Sequence, residues 1–191
     1  MPARATEPLP ALEARSTDAG APHLPEPALT VGDLMSHEAF AVHAESTLHD
    51  AARLMWEHDI GAVPVVDARG IVIGIVTDRD IAMSAFFSGD ALSSIRVESA
   101  MSRDVAAVQP TLNVYRAAGV MRRHQVHRLP VVDEEGCLQA MLSLADIAQA
   151  LGTQGADGLS ELDVAYTLRA ICVSRAHASH PVPDGVATIP L

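Results

Sequence analysis

The chain carries one stretch twice. Pro64-Val65-Val66-Asp67 recurs as Pro130-Val131-Val132-Asp133, and the window 31–82 maps onto 97–148 at a constant offset of 66 positions without a gap. Seventeen of those 52 positions are identical, among them Met35/Met101, His58/His124, Gly70/Gly136 and Asp80-Ile81-Ala82/Asp146-Ile147-Ala148. A period of this length is one supersecondary unit made twice. Each unit is too small to bury much apolar surface alone, so the copies are expected to pack on each other. Such packing leaves a cleft between near-equivalent surfaces, a natural place for a ligand.

Within the first copy, Ala41-Val42 reads as a short strand. Ser46 or Thr47 can cap a helix whose apolar members Leu48, Ala51, Ala52, Leu54 and Met55 follow at helical spacing. Gly61 is expected to close that helix in the left-handed conformation. A strand over 62–66, a turn over 67–70 and a continuous apolar strand over 71–76, expected to be buried on both faces, come next. A second helix opens at 77. The unit is β-α-β-β-α, and the second copy gives the same string: 107–108, 113–124, 128–132, 136–142 and 143–151. The expected fold class is therefore α/β (α+β), two such motifs packed as a pseudo-twofold pair. Residues 30–90 form the first motif and 96–151 the second. The Pro- and Ala-rich stretch 1–29 is expected to be a disordered tail. Residues 152–191 form a C-terminal tail with one amphipathic helix over about 159–173, capped by Ser160.

Composition narrows the function. Aromatic residues are 3% against 49% hydrophobic, so the core is built from Val, Ile, Leu, Met and Ala. A net charge of −11 argues against a nucleic-acid binder. Lysine is absent, which excludes a Schiff-base or Walker-type lysine, and no Gly-x-Ser-x-Gly elbow or Cys-x-x-Cys occurs. No catalytic constellation emerges, so the chain is not expected to be an enzyme. Cys137 and Cys172 make no disulfide framework and read as small buried hydrophobes. The longest apolar stretch, 70–76, is too short for a bilayer, and no signal peptide is visible. A cytoplasmic protein without membrane or nucleic-acid partners is the expectation.

The string Val63-Pro64-Val65-Val66-Asp67, a glycine, then an apolar strand ending Gly74-Ile75-Val76-Thr77-Asp78-Arg79-Asp80-Ile81 resembles a CBS motif. Leu129-Pro130-Val131-Val132-Asp133 through Ser143-Leu144-Ala145-Asp146-Ile147 resembles another. The resemblance covers roughly residues 30–151 and extends to stand-alone bacterial CBS-pair proteins. It implies a Bateman module that is regulatory, forms a homodimer through its CBS motifs and binds an adenosine-type ligand between repeats. That ligand is AMP, ADP, ATP or S-adenosylmethionine, with no catalytic cofactor. Any output then passes to an effector protein.

By the same resemblance, Thr77 with Asp80, and Ser143 with Asp146, bind ribose. A carboxylate can accept from both ribose hydroxyls, and a helix start offers free amides to an anion. Thr-x-x-Asp is also a capping box, which needs no ligand; the two roles are compatible. Gly61-Ala62-Val63 and His127-Arg128-Leu129 would meet base and phosphates, with Arg79, His127 and Arg128 able to neutralise phosphate or to form a solvated basic patch. Val42, His43 and Val108 would touch adenine, while Val63 and Leu129 also fit a core. In copy two, Ala140 replaces Gly74 and Leu144-Ala145 replace Asp78-Arg79, so a methyl is expected to crowd the Ser143/Asp146 site. The rival reading is a ligand-free interaction protein, with the tail helix as docking element and a His-bound metal. His124 and His127 stand three apart, but a metal needs three or four converging ligands.

Overall fold

The computed structural model describes residues 29–35, 39–153 and 161–172. Readings that fall on 1–28, 36–38, 154–160 and 173–191, including the N-terminal tail and the Ser160 cap, lie outside the described residues. The elements are α1 (Val31–Leu34), β1 (Val42–His43), α2 (Leu48–Glu57), β2 (Ala62–Val66), β3 (Val72–Thr77) and α3 (Asp78–Ser88). Short 3-10 turns follow at Leu92–Ser94 and Val97–Ser99, then α4 (Val114–His124), β4 (Arg128–Val132), β5 (Leu138–Ser143), α5 (Leu144–Thr153) and α6 (Glu161–Cys172).

Each copy is a β-hairpin flanked by two helices. β2 and β3 are antiparallel, as are β4 and β5, and both pairs break register before the last strand residue, at Val65/Val66 and Val131/Val132. The turns have one mechanism. Asp67 Oδ1 accepts from the amides of Arg69 and Ile71, both at 2.9 Å, and Asp133 Oδ1 from those of Glu135 at 3.1 Å and Cys137 at 2.8 Å. Gly70 at φ 82° and Gly136 at φ 85° supply the left-handed step. β1 joins β2 in parallel through Val42 and Val65. Its counterpart in copy two shrinks to a single bridge between Val108 and Val131, short of the expected strand.

Two local expectations need correction. Helix α2 is not closed by Gly61: the left-handed residue is Asp59 at φ 52°, matched 66 positions on by Gln125 at φ 53°. Asp is among the few non-glycine types that tolerate this region, so the turn needs no glycine. The strand at 71–76 runs Val72–Thr77, and fully buried residues alternate with half-buried ones along it. It lies over a core on one face and under only partial cover on the other.

The copies do not simply abut; they exchange their lead-in segments. Val31 donates to Leu112 O at 2.8 Å, and its counterpart Val97 to Ser46 O at 2.9 Å. Gly32 donates to Pro110 O at 2.8 Å and Glu98 to Ala44 O at 3.0 Å; Val114 donates to Leu29 O and Leu48 to Ile95 O, both at 2.9 Å. Every bond recurs at the 66-residue offset. Val97, from the start of copy two, is fully buried in the core of copy one, and Val31 in the core of copy two. Burying each valine is worth about 1.5–3 kcal/mol. Ile71 and Cys137, equivalent to each other, pair directly, flanked by bonds from Val72 to Gly136 O and from Leu138 to Gly70 O. The pseudo-twofold axis therefore passes between the two turns.

The cores contain Val, Leu, Ile, Met and Ala; among the described residues no aromatic ring is fully buried. Neither cysteine is a buried hydrophobe: Cys137 is half-buried, because its turn lies on the axis, and Cys172 is exposed at the end of α6. Helix α6 packs on α4 and α5 of its own chain, with Ile171 in the copy-two core. Arg122 Nη1 donates to the fully buried Thr167 Oγ1 at 2.8 Å, which donates in turn to Asp163 O at 2.7 Å.

Candidate functional site

The β3–α3 junction is held by its own side chains. Thr77 donates to Asp80 Oδ2 from its amide at 2.9 Å and its hydroxyl at 2.7 Å, and Thr77 Oγ1 accepts the Asp80 amide at 3.2 Å. At the β5–α5 junction Ser143 donates twice to Asp146 Oδ2 at 2.7 Å, and the Asp146 amide returns at 3.1 Å. This is the capping box, and it appears four times. Thr30 with Asp33 and Thr47 with Asp50 make the same reciprocal bonds at helices away from the junctions. In those two the hydroxyl first, then the amide, hold the carboxyl below its ordinary value of 3.8, burial acting the other way.

The box alone is therefore not the mark of a site. Asp80 has neighbours beyond its own box. It lines an open concavity of about 500 Å³ together with Met83, Ser84 and Phe87 of α3 and with Ile95, Ser99 and Ala100 from the segment that opens copy two. All its bonds among the described residues go to Oδ2, so Oδ1 keeps its lone pairs for a donor.

Copy two also reaches this junction with a charge. The Asp78 amide donates to Gly61 O at 3.1 Å, tying the start of α3 to the strand before it. A Cβ on Gly61 would stand 3.3 Å from Asp78 Oδ2 and 3.9 Å from Arg128 Nη1. Gly61 thus keeps space between a carboxylate of its own copy and a guanidinium of the other. Arg79 is exposed on the first turn of α3, its amide donating to Asp78 Oδ1 at 2.7 Å.

The remaining predicted residues divide. Thr77, Arg79, Asp80 and Arg128 gather at the first junction. Ser143, Asp146 and His127 belong to the second, where Leu144 donates to His127 O at 2.9 Å. Ala62 is half-buried and paired with Thr77. Val63 and Leu129 are fully buried core members and offer no surface. Val42 and Val108 are nearly as buried, at 7% and 5% exposure, whereas His43 is exposed beside them. Sequence reasoning did not single out Ser99, Ala100 and Phe87, which wall the concavity; Phe87 lies two turns along α3, and only the crossing of the lead-in segment brings Ser99 and Ala100 to Asp80. The expected role of Gly74 also changes. A Cβ there would meet Met101 Sδ at 2.6 Å and Ser102 O at 3.0 Å. The glycine makes room for the crossing chain; its counterpart Ala140 is fully buried.

Among the described residues, no three His, Cys, Asp or Glu side chains converge on a point that could hold a metal ion. His58 stacks on Phe40, ring centroids 3.6 Å apart. No helix among them is long and apolar enough to cross a membrane.

The CBS-domain profile matches residues 31–85 and again 97–153. This chain belongs to the CBS-domain family. The CBS domain pair of protein MJ0100, solved in complex with 5′-methylthioadenosine and S-adenosyl-L-methionine, superposes with a TM-score of 0.59 at 27% identity, covering 66% of this chain and 98% of that one. Hypoxic Response Protein I, solved with two coordinated zinc ions, superposes with a TM-score of 0.58 at 31% identity, covering 63% of this chain and 98% of that one. The homoserine O-acetyltransferase of Methanohalophilus mahii is 38% identical over 124 residues, 65% of this chain but 25% of the enzyme. This CBS pair thus spans about a quarter of that relative's length.

Proposed function

We propose that this CBS pair is a regulatory, non-catalytic module that takes an adenosine-type ligand between its repeats: AMP, ADP, ATP or S-adenosylmethionine. Asp80 and Asp146 accept from ribose hydroxyls, and Thr77 and Ser143 fix those carboxylates. Arg79, His127 and Arg128 face the 5′ substituent, and Val42, His43, Ala62 and Val108 border the base. Val63 and Leu129 support the wall from the core. The observation that carries this reading is the open Oδ1 of Asp80 beside a concavity built from both copies. The ligands of the MJ0100 pair support the chemical class.

The ligand acts by favouring one relative arrangement of the repeats over another, and a cytoplasmic effector protein receives the change. We also propose a homodimer. Helix α6 covers α4 and α5 in copy two, whereas the equivalent helices of copy one leave Trp56 and Phe86 at 87% and 75% exposure. A second copy would cover them.

The test is titration with AMP of the wild-type chain and of Asp80→Ala, with circular dichroism confirming the fold. Loss of AMP binding is the expected result. Unchanged AMP affinity in a folded variant would remove Asp80 from the site.

A further inference from the structure

The 66-residue repeat preserves the ribose end of the two junctions and changes the charged end. Thr77/Ser143, Asp80/Asp146, Ile81/Ile147 and Val63/Leu129 are like for like, but Gly61 faces His127, Ala62 faces Arg128, Asp78 faces Leu144 and Arg79 faces Ala145 in the alignment. The fold decides where these differences act. Arg128 starts on β4, yet its guanidinium lies at the β3–α3 junction, 3.9 Å from the position a Gly61 Cβ would take. Since the crossing bonds of Val31, Gly32 and Val114 recur at the same offset, the residue that takes the place of Arg128 at the β5–α5 junction is Ala62, whose side chain ends at Cβ.

We infer that the two clefts differ in the charge they accept: the Asp80 cleft takes the 5′-phosphorylated form as well as the uncharged nucleoside, and the Asp146 cleft takes only an adenosine with no negative charge at its 5′ end. This rests on the adenosine reading above and adds a selectivity to it. At the Asp80 junction a phosphate meets Arg128 and Arg79. Asp78 opposes them, but its Oδ1 already accepts from the Arg79 amide at 2.7 Å and its Oδ2 shares the Gly61 space with the guanidinium. Arginine stays protonated at any working pH and matches phosphate geometry with two parallel donors. At the Asp146 junction the chain supplies the half-buried Ala62, the exposed Ala145 and His127, and Leu144 turned into the copy-two core. A phosphate brought there would face Asp146 with Ala62 in the place that Arg128 takes at the other junction, and like charges at short range disfavour one another. An uncharged thioether or hydroxyl at the 5′ carbon instead meets apolar side chains.

The experiment is calorimetric titration of the full chain with adenosine, 5′-methylthioadenosine and AMP. Wild type is expected to take two equivalents of either uncharged nucleoside and one of AMP. Asp80→Ala is expected to lose AMP and keep one nucleoside site; Asp146→Ala is expected to keep AMP. Arg128→Ala is expected to weaken AMP roughly tenfold to a hundredfold, the worth of a charge-assisted hydrogen bond, with adenosine unchanged. Ala62→Arg is expected to create a second AMP site, a gain that misfolding cannot imitate. AMP filling both wild-type clefts alike, or Arg128→Ala weakening AMP and adenosine equally, would overturn the sorting while leaving the adenosine reading intact. Failure of all three ligands to bind wild type would remove the adenosine reading, and the sorting with it.

Discussion

Replacing Gly74 by alanine tests whether the crossing of the lead-in segment shapes the ligand wall. The new methyl would lie 2.6 Å from Met101 Sδ, 3.0 Å from Ser102 O and 3.1 Å from Met101 Cγ. The sulfur can swing, although Met101 is only 8% exposed and sits in the copy-one core. The carbonyl cannot move freely, because Ile75 and Ser102 exchange two backbone hydrogen bonds of 2.9 Å. Overpacking of this kind costs about 1–3 kcal/mol, and the lower entropy of the unfolded alanine chain returns about 0.4–1 kcal/mol. The clash wins, leaving a net loss of about 1–2 kcal/mol, or roughly 2–8 °C in Tm for a chain of this size. Urea denaturation of Gly74→Ala, Met101→Ala and the double variant measures it. The double variant should lose less than the sum of the singles, since a shortened Met101 vacates the space the methyl needs. AMP affinity should fall with Gly74→Ala as well, because Ser99 and Ala100 hang from the same segment. A Gly74→Ala protein as stable as wild type would refute the reasoning.

Other expectations follow from single contacts. Met121 is fully buried in the copy-two core, so Met121→Ala should cost about 2–5 kcal/mol in urea denaturation. Arg122 joins α4 to α6 through Thr167 and lies 5.7 Å and 5.4 Å from the ring centroids of Tyr115 and Tyr166; Arg122→Ala should cost about 1–2 kcal/mol and speed limited proteolysis within α6. The Asp33 and Asp50 carboxyls are held low by their threonine hydroxyls and amides. At Asp67 burial pushes upward but is outweighed by the amides of Ile71 and Arg69 and by the Arg69 charge. A depressed folded value means the stabilisation is present above the ordinary 3.8 and is lost as pH falls through the lower folded value. Tm should therefore drop below about pH 4, and Asp50→Asn should flatten that drop; an unchanged slope would count against it.

The architecture was legible because a constant offset is a physical statement: residues that repeat with the turns must occupy equivalent places. Asp67/Asp133 and Gly70/Gly136 announce the two turns, and Thr47, Thr77 and Ser143 the helix starts. Less was legible where backbone alternatives are close in energy. Gly61 looked like a helix stop, but Asp59 takes that conformation and Gly61 serves the space beside Asp78. The strand expected at 107–108 reduces to one bridge at Val108, since so short a segment has little to pair. For the site, the sequence named Asp80 and Arg128 but not their meeting, which depends on where a long side chain on β4 points. Nor could it show Ser99 and Ala100 beside Asp80, because that contact exists only through the exchange of segments.

That exchange also constrains how the protein can be made. Val31 must wait for Leu112, and Ser46 for Val97, before either core closes. A ribosome releasing the chain from its N-terminus exposes the first hydrophobic face for the time needed to synthesise the second. Neither half can complete its fold early, and contacts of such long sequence separation slow closure further. The two halves therefore mature together, and a truncated or stalled product would present an open core to the cell's quality control.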